Sequence, residues 1–113
     1  MELLKEKIRE FVRERDWDKY HSQKNLAMGV SVEAAELLEV FLWLTEDESK
    51  TLTEEQLTSV KHEIGDVMIH LTDLADSLGL DPMECALEKV GLNQAKYPAT
   101  MVKGSAKKYT EYK

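Results

Sequence analysis

Val32-Glu33-Ala34-Ala35-Glu36-Leu37-Leu38-Glu39-Val40-Phe41-Leu42-Trp43-Leu44 is the stretch on which the reading of this chain turns. At about 100° per residue, Glu33, Glu36, Val40 and Trp43 share one stripe of a helix, with Glu39 at its edge. Ala34, Ala35, Leu37, Leu38, Phe41, Leu42 and Leu44 fill nearly all the rest. A helix apolar around so much of its circumference is buried on more than one side. One chain of 113 residues has little core with which to surround it, so the pattern implies self-association. Glu33 and Glu36, at i and i+3, point the same way out of this apolar surface.

A second pair of the same kind lies downstream. Val60, Ile64, Val67, Leu71, Leu74 and Leu78 form a regular apolar stripe, and Glu63, Asp66, His70 and Asp73 run along its shoulder, toward a cleft between helices. Two pairs of carboxylates facing each other offer the hard oxygen donors that Mg²⁺ prefers, with substrate phosphates and water completing its shell. An isolated Glu-x-x-Glu is usually a solvated helix face. Two such pairs inside apolar helices are not explained that way.

The remaining chain reads as helix and short connection. Leu3, Leu4, Ile8, Phe11 and Val12 give helical spacing over residues 2 to about 15. Asp16 through Ser22 breaks the period and predicts an irregular turn. The acidic helix is expected from about Asn25 to Leu44, and residues 45–55 as a polar connector. Thr53 with Gln56 makes a capping box for the next helix, which runs to about Leu78 and stops at Gly79. Asp81, Pro82 and Glu84 supply the N-cap, N1 proline and N3 acid of a fourth helix, which Tyr97-Pro98 ends. The expectation is one all-α domain, a four-helix bundle over residues 1–98, with an extended tail over 99–113.

Composition narrows the chemistry. A formal charge of −7 argues against a nucleic-acid polymer as partner and requires a divalent cation between clustered carboxylates and any polyphosphate. The balance of 33% charged and 42% hydrophobic residues suits a soluble domain. The lone Cys85 makes no intrachain disulfide and reads as a small buried apolar residue. With no signal-peptide pattern and no apolar run of membrane-spanning length, a cytoplasmic protein is expected. A di-iron carboxylate bundle would need histidine three residues after glutamate, but His21, His62 and His70 follow Asp18, Ser59 and Val67 at that interval. Imidazole is also a poor partner for Mg²⁺, so all three histidines read as surface or hydrogen-bonded groups. A helical interaction module whose acids meet a basic partner is the non-enzymatic alternative. It predicts no dependence on divalent metal.

The runs Val32 to Glu39 and Glu63-Ile64-Gly65-Asp66-Val67 resemble the ExxE…ExxD signature of the MazG-like nucleoside triphosphate pyrophosphohydrolases. Arg15-Asp16-Trp17, His21, Lys24-Asn25, Trp43, Lys89, Asn93 and Lys96-Tyr97-Pro98 are similar to the dCTP pyrophosphatase branch of that family, and the likeness spans about residues 8 to 112. It implies an all-α NTP pyrophosphatase fold assembled as a dimer or dimer of dimers. It implies Mg²⁺ held by Glu33, Glu36, Glu63 and Asp66, and water attack at the α-phosphate of a (deoxy)nucleoside triphosphate. The products are the monophosphate and pyrophosphate, a house-cleaning role. Either Glu33 or Glu36 would take the water's proton, with Glu39 behind them. Lys89, Asn93 and Lys96, at i, i+4 and i+7, would hold the phosphate tail. Trp17 and Trp43 would stack on the base, and His21, Lys24 and Asn25 would flank it. The branch carries a histidine and a tyrosine where this chain has Ile8 and His70. dCTP is the first expectation for substrate, with dATP or a damaged nucleotide next.

Overall fold

A computed structural model describes residues 1–104. Its order is α1 (Glu2–Glu14), a 3₁₀ turn (Asp18–Tyr20), α2 (Gln23–Leu42), α3 (Glu46–Ser49), α4 (Glu54–Ser77), α5 (Pro82–Lys96) and α6 (Ala99–Val102). The described residues form no strand. The four long helices are those expected, and most of their ends are fixed by local chemistry. Thr53 caps α4 with a reciprocal Gln56 box. Leu80 N–H reaches back to Ala75 O at 2.8 Å and Gly79 N–H to Asp76 O at 3.1 Å, a Schellman closure with Gly79 at φ +70°. Asp81 Oδ1 accepts from the N–H groups of Met83 and Glu84 to open α5.

Three expectations about the bounds and conformation of segments are corrected. α2 starts and stops earlier than Asn25 and Leu44, because Ser22 Oγ caps it by accepting from Asn25 N–H and because Thr45 must be extended to cap the next turn. The connector is not coil throughout: Thr45 and Glu48 form a second capping box that starts α3, a Thr-x-x-Glu signal legible in the sequence. The tail is not extended from its start. Beyond Pro98, Met101 N–H bonds Pro98 O and Lys103 N–H bonds Ala99 O, closing the single turn α6. Residues 105–113, the rest of the expected tail, lie outside the described residues.

Packing centres on α4. α2 and, over a smaller area, α1 pack on it, enclosing the small core of Ile8, Val12, Leu26 and Ala75 with fully buried Thr72. Two ion pairs fasten α1: Arg9 grips both carboxylate oxygens of Asp76 at 2.5 and 2.7 Å, and Lys5 reaches Asp81 at 3.3 Å. The four long helices do not close into a bundle within one chain. Residues 83–96 of α5 are all exposed, so its apolar Met83, Leu87 and Val90 lie uncovered. α2 packs chiefly against α4 and leaves Met28, Val32, Leu38 and Leu42 exposed. Cys85, expected inside, is exposed in an apolar groove with Leu71, Leu74, Leu78 and Leu80. The radius of gyration is 17.7 Å, against about 13 Å for a compact domain of this length. No described helix is long and apolar enough to cross a membrane.

Candidate active site

α2 and α4 run antiparallel, so that two stripes face each other. Leu26, Gly29, Glu33 and Glu36 come from α2, and Asp73, His70, Asp66 and Glu63 from α4. The register is pinned in the middle, where the His70 ring lies over Gly29. A Cβ placed there would stand 2.5 Å from His70 Cδ2, a distance no side chain tolerates. Glycine at 29 therefore lets the two helices approach at that level. The same ring uses Nδ1 to donate to Asp66 O at 3.1 Å, since a carbonyl can only accept.

This approach brings Glu33, Glu36, Glu63 and Asp66 together, with one carboxylate oxygen from each lying within 4.8 Å of the others. Glu33 Oε2 and Glu63 Oε2 are buried there without a hydrogen-bond partner. Desolvation pushes the Glu33 carboxyl above its ordinary value of 4.5, as do the neighbouring Glu36 and Asp66, while His70 opposes them. Glu63 is raised as well, by desolvation first and then by the charges of Glu36, Asp66 and Glu39. Orphaned buried carboxylate oxygens are costly, and like charges at this separation oppose joint ionisation. A metal cation relieves both conditions, and four clustered carboxylates are hard oxygen donors of the kind such an ion takes. Glu39 is near enough to raise the Glu63 carboxyl slightly by its charge.

One helical turn beyond the cluster, Phe11, Val12, Trp17, His21, Leu26, Ile69, His70 and Asp73 line a pocket of about 120 Å³. The Arg15-Asp16-Trp17 segment builds its aromatic wall. Asp16 adopts φ +52°, a left-handed turn that aspartate tolerates. The Trp17 N–H then returns to Val12 O at 3.1 Å. The indole thereby folds back edge-on to Phe11, with centroids 5.8 Å apart, while Arg15 covers Phe11 at 3.7 Å. His21 Nδ1 meets Asp73 Oδ2 at 3.2 Å.

The other expected site residues are dispersed in this chain. Asn25 Nδ2 donates to Tyr20 O at 3.0 Å, which ties the 3₁₀ turn to α2. Lys24 is exposed. Trp43, 87% exposed, stands past the last turn of α2, at the opposite end of that helix from the pocket. Lys89, Asn93 and Lys96 lie on the exposed α5, and among the described residues no ion pair joins Lys89 to the four acids. Ile8 is buried in the core, whereas His70 lines the pocket. His70, Gly29 and Asp73 were not expected as site residues, although His70 and Asp73 stand in the same shoulder stripe as Glu63 and Asp66.

Residues 28–112 match the model of the MazG-like family. The chain is 35% identical over 104 residues to dCTP pyrophosphatase 1 of Homo sapiens and 33% identical to that of Mus musculus. Each alignment covers 90% of this chain and 61% of the relative, so the chain spans under two thirds of the length of these relatives. The crystal structure of a pyrophosphatase from Archaeoglobus fulgidus DSM 4304 superposes with a TM-score of 0.81 at 43% identity, covering 87% of this chain and 92% of that one.

Proposed function

The chain belongs to the MazG-like family, and we propose that it is a Mg²⁺-dependent nucleoside triphosphate pyrophosphohydrolase. It takes a (deoxy)nucleoside triphosphate, dCTP first among them, to the monophosphate and pyrophosphate. The observation that carries this reading is the cluster of four carboxylates with two buried, unpartnered oxygens. Glu33, Glu36, Glu63 and Asp66 would hold Mg²⁺, which when bound neutralises phosphate charge and polarises the phosphorus. Glu33 or Glu36 takes the proton of the water that attacks the α-phosphate, and at Glu33 desolvation raises the basicity of the carboxyl. Trp17 offers its ring face to the base, with His21 beside it.

The same proposal makes the enzyme a homo-oligomer, a dimer or dimer of dimers. The uncovered apolar faces of α2 and α5 support this, because contiguous apolar surface of that kind is characteristic of subunit interfaces. Lys89, Asn93, Lys96 and Trp43 would then act on a cage built by a neighbouring copy. The test is release of pyrophosphate from a panel of nucleoside triphosphates with and without Mg²⁺, for the native chain and for Glu63→Gln. Hydrolysis that requires Mg²⁺ and falls to background in Glu63→Gln, with the helical circular dichroism unchanged, is expected. An active Glu63→Gln protein overturns the assignment of the cage.

A further inference from the structure

The acidic shoulder of α4 continues past the proposed metal ligands, and its end is unexplained by them. Glu63, Asp66, His70 and Asp73 follow one another at intervals of three, four and three, so they occupy one face of the helix. Asp73 stands two turns from Asp66, about 10 Å along the axis. That is the order of separation between the α-phosphate of a nucleotide and the far edge of its base. Asp73 borders the aromatic pocket of about 120 Å³ and also a more polar groove beside it, which holds Arg9, Arg13, Asp18 and Asp76.

Arg9 and Arg13 share a groove with Asp73, and among the described residues no ion pair joins either arginine to it. Arg9 is bound bidentately by Asp76, so it does not neutralise Asp73. His21 Nδ1 contacts Asp73 Oδ2 at 3.2 Å, which orients the carboxylate. Among the described residues no hydrogen bond reaches Oδ1. The Asp73 side chain is 21% exposed, set at the rim of a pocket whose other walls are Phe11, Val12, Trp17, Leu26 and Ile69. A carboxylate in that position accepts hydrogen bonds and donates none.

From this placement we propose that Asp73, oriented by His21, is a specificity-determining residue that selects a base bearing an exocyclic amine. The inference rests on the nucleotide-hydrolysing reading and deepens it. A flat ring enters between the Trp17 and Phe11 wall and His70, with its triphosphate toward the four acids. Its amine at the far edge donates to Asp73 Oδ1. A keto oxygen at the same ring position would face a carboxylate without a proton between them, an unpaired and repulsive contact that rejects the ring. Cytosine and uracil differ in this way at C4, and the adjacent N3 changes with it from acceptor to N–H donor.

The experiment measures binding of non-hydrolysable α,β-imido dCTP and dUTP to the full chain by calorimetry in the presence of Mg²⁺, for the native protein, Asp73→Asn and Asp73→Ala. Turnover of dCTP and dUTP is measured in parallel. The native chain is expected to favour the cytosine analogue by roughly tenfold or more, the scale of one hydrogen bond to a charged group. Asp73→Asn, whose amide can also donate, should bring the ratio near unity or invert it. Asp73→Ala should remove the preference and weaken the cytosine analogue alone. An unchanged cytosine-to-uracil ratio in both variants overturns the role of Asp73, even where the native enzyme is active. A native chain that binds with this preference and releases no pyrophosphate overturns the hydrolytic reading and leaves the base contact standing.

Discussion

Substituting Gly29 by alanine tests the central packing claim, that α2 and α4 meet closely enough to assemble the cage only because residue 29 lacks a side chain. The new Cβ would lie 2.5 Å from Cδ2 and 3.1 Å from Nε2 of His70, against a normal carbon contact of about 3.5–4.0 Å. Relief takes a displacement of about 1 Å, either of the ring or of one helix. The ring is held by its bond to Asp66 O, so moving it disturbs the backbone next to a proposed ligand. Overpacking of this kind costs about 1–3 kcal/mol, offset by about 1 kcal/mol from replacing glycine inside a helix. Gly29→Ala should therefore lose up to about 2 kcal/mol in urea unfolding. Its Mg²⁺-dependent pyrophosphate release should fall much further, by about a hundredfold for a 1 Å misplacement of reacting groups. Removing the obstacle in Gly29→Ala/His70→Ala should recover part of both, giving a coupling energy well outside additivity. A Gly29→Ala protein that gains the full helix-propensity term and keeps its rate would refute the argument.

The remaining expectations concern charge. Divalent cation should raise the melting temperature of the native chain, because ligand binding to the folded state adds about 2.7 kcal/mol at a hundredfold excess over Kd. In Glu33→Gln/Glu63→Gln the shift should vanish, and the metal-free form should melt no lower than the native protein, since two disfavoured charges are gone. The pH dependence of stability follows from opposed shifts. Asp76 is held below its ordinary 3.8 by the Arg9 hydrogen bond, and Asp81 by the Glu84 N–H and then Lys5. The stability they contribute is present above 3.8 and is lost as pH falls through their folded values. Glu33 and Glu63 are raised from 4.5, so their contribution is present below 4.5 and is lost as pH rises through their folded values. Urea midpoints without divalent cation should peak in mildly acidic buffer, and Asp76→Asn should flatten the acid limb alone.

Much of this molecule is written in short-range terms. The four long helices, the capping box at Thr53, the stop at Gly79 and the opening of α5 at Asp81 all depend on neighbours within a few residues. Such signals can be read along the chain. The two acidic pairs belong to the same class, because i and i+3 share a face wherever the helix goes. The missed turn α3 was legible too, from Thr45 and Glu48. What could not be read were the outcomes of contacts between distant segments. Gly29 has meaning only once His70 stands opposite it, forty-one residues later in the sequence. Trp17 and Trp43 look alike along the chain. One is folded onto Phe11 by the left-handed turn at Asp16, and the other is left in solvent beyond α2. The placement of α5 is likewise a tertiary fact: its apolar residues find no cover in one copy. Periodicity and capping fixed which residues share a helical face, since those interactions act over one or two turns. Which faces meet, and how closely, was decided by side-chain volumes brought together from far apart in the chain.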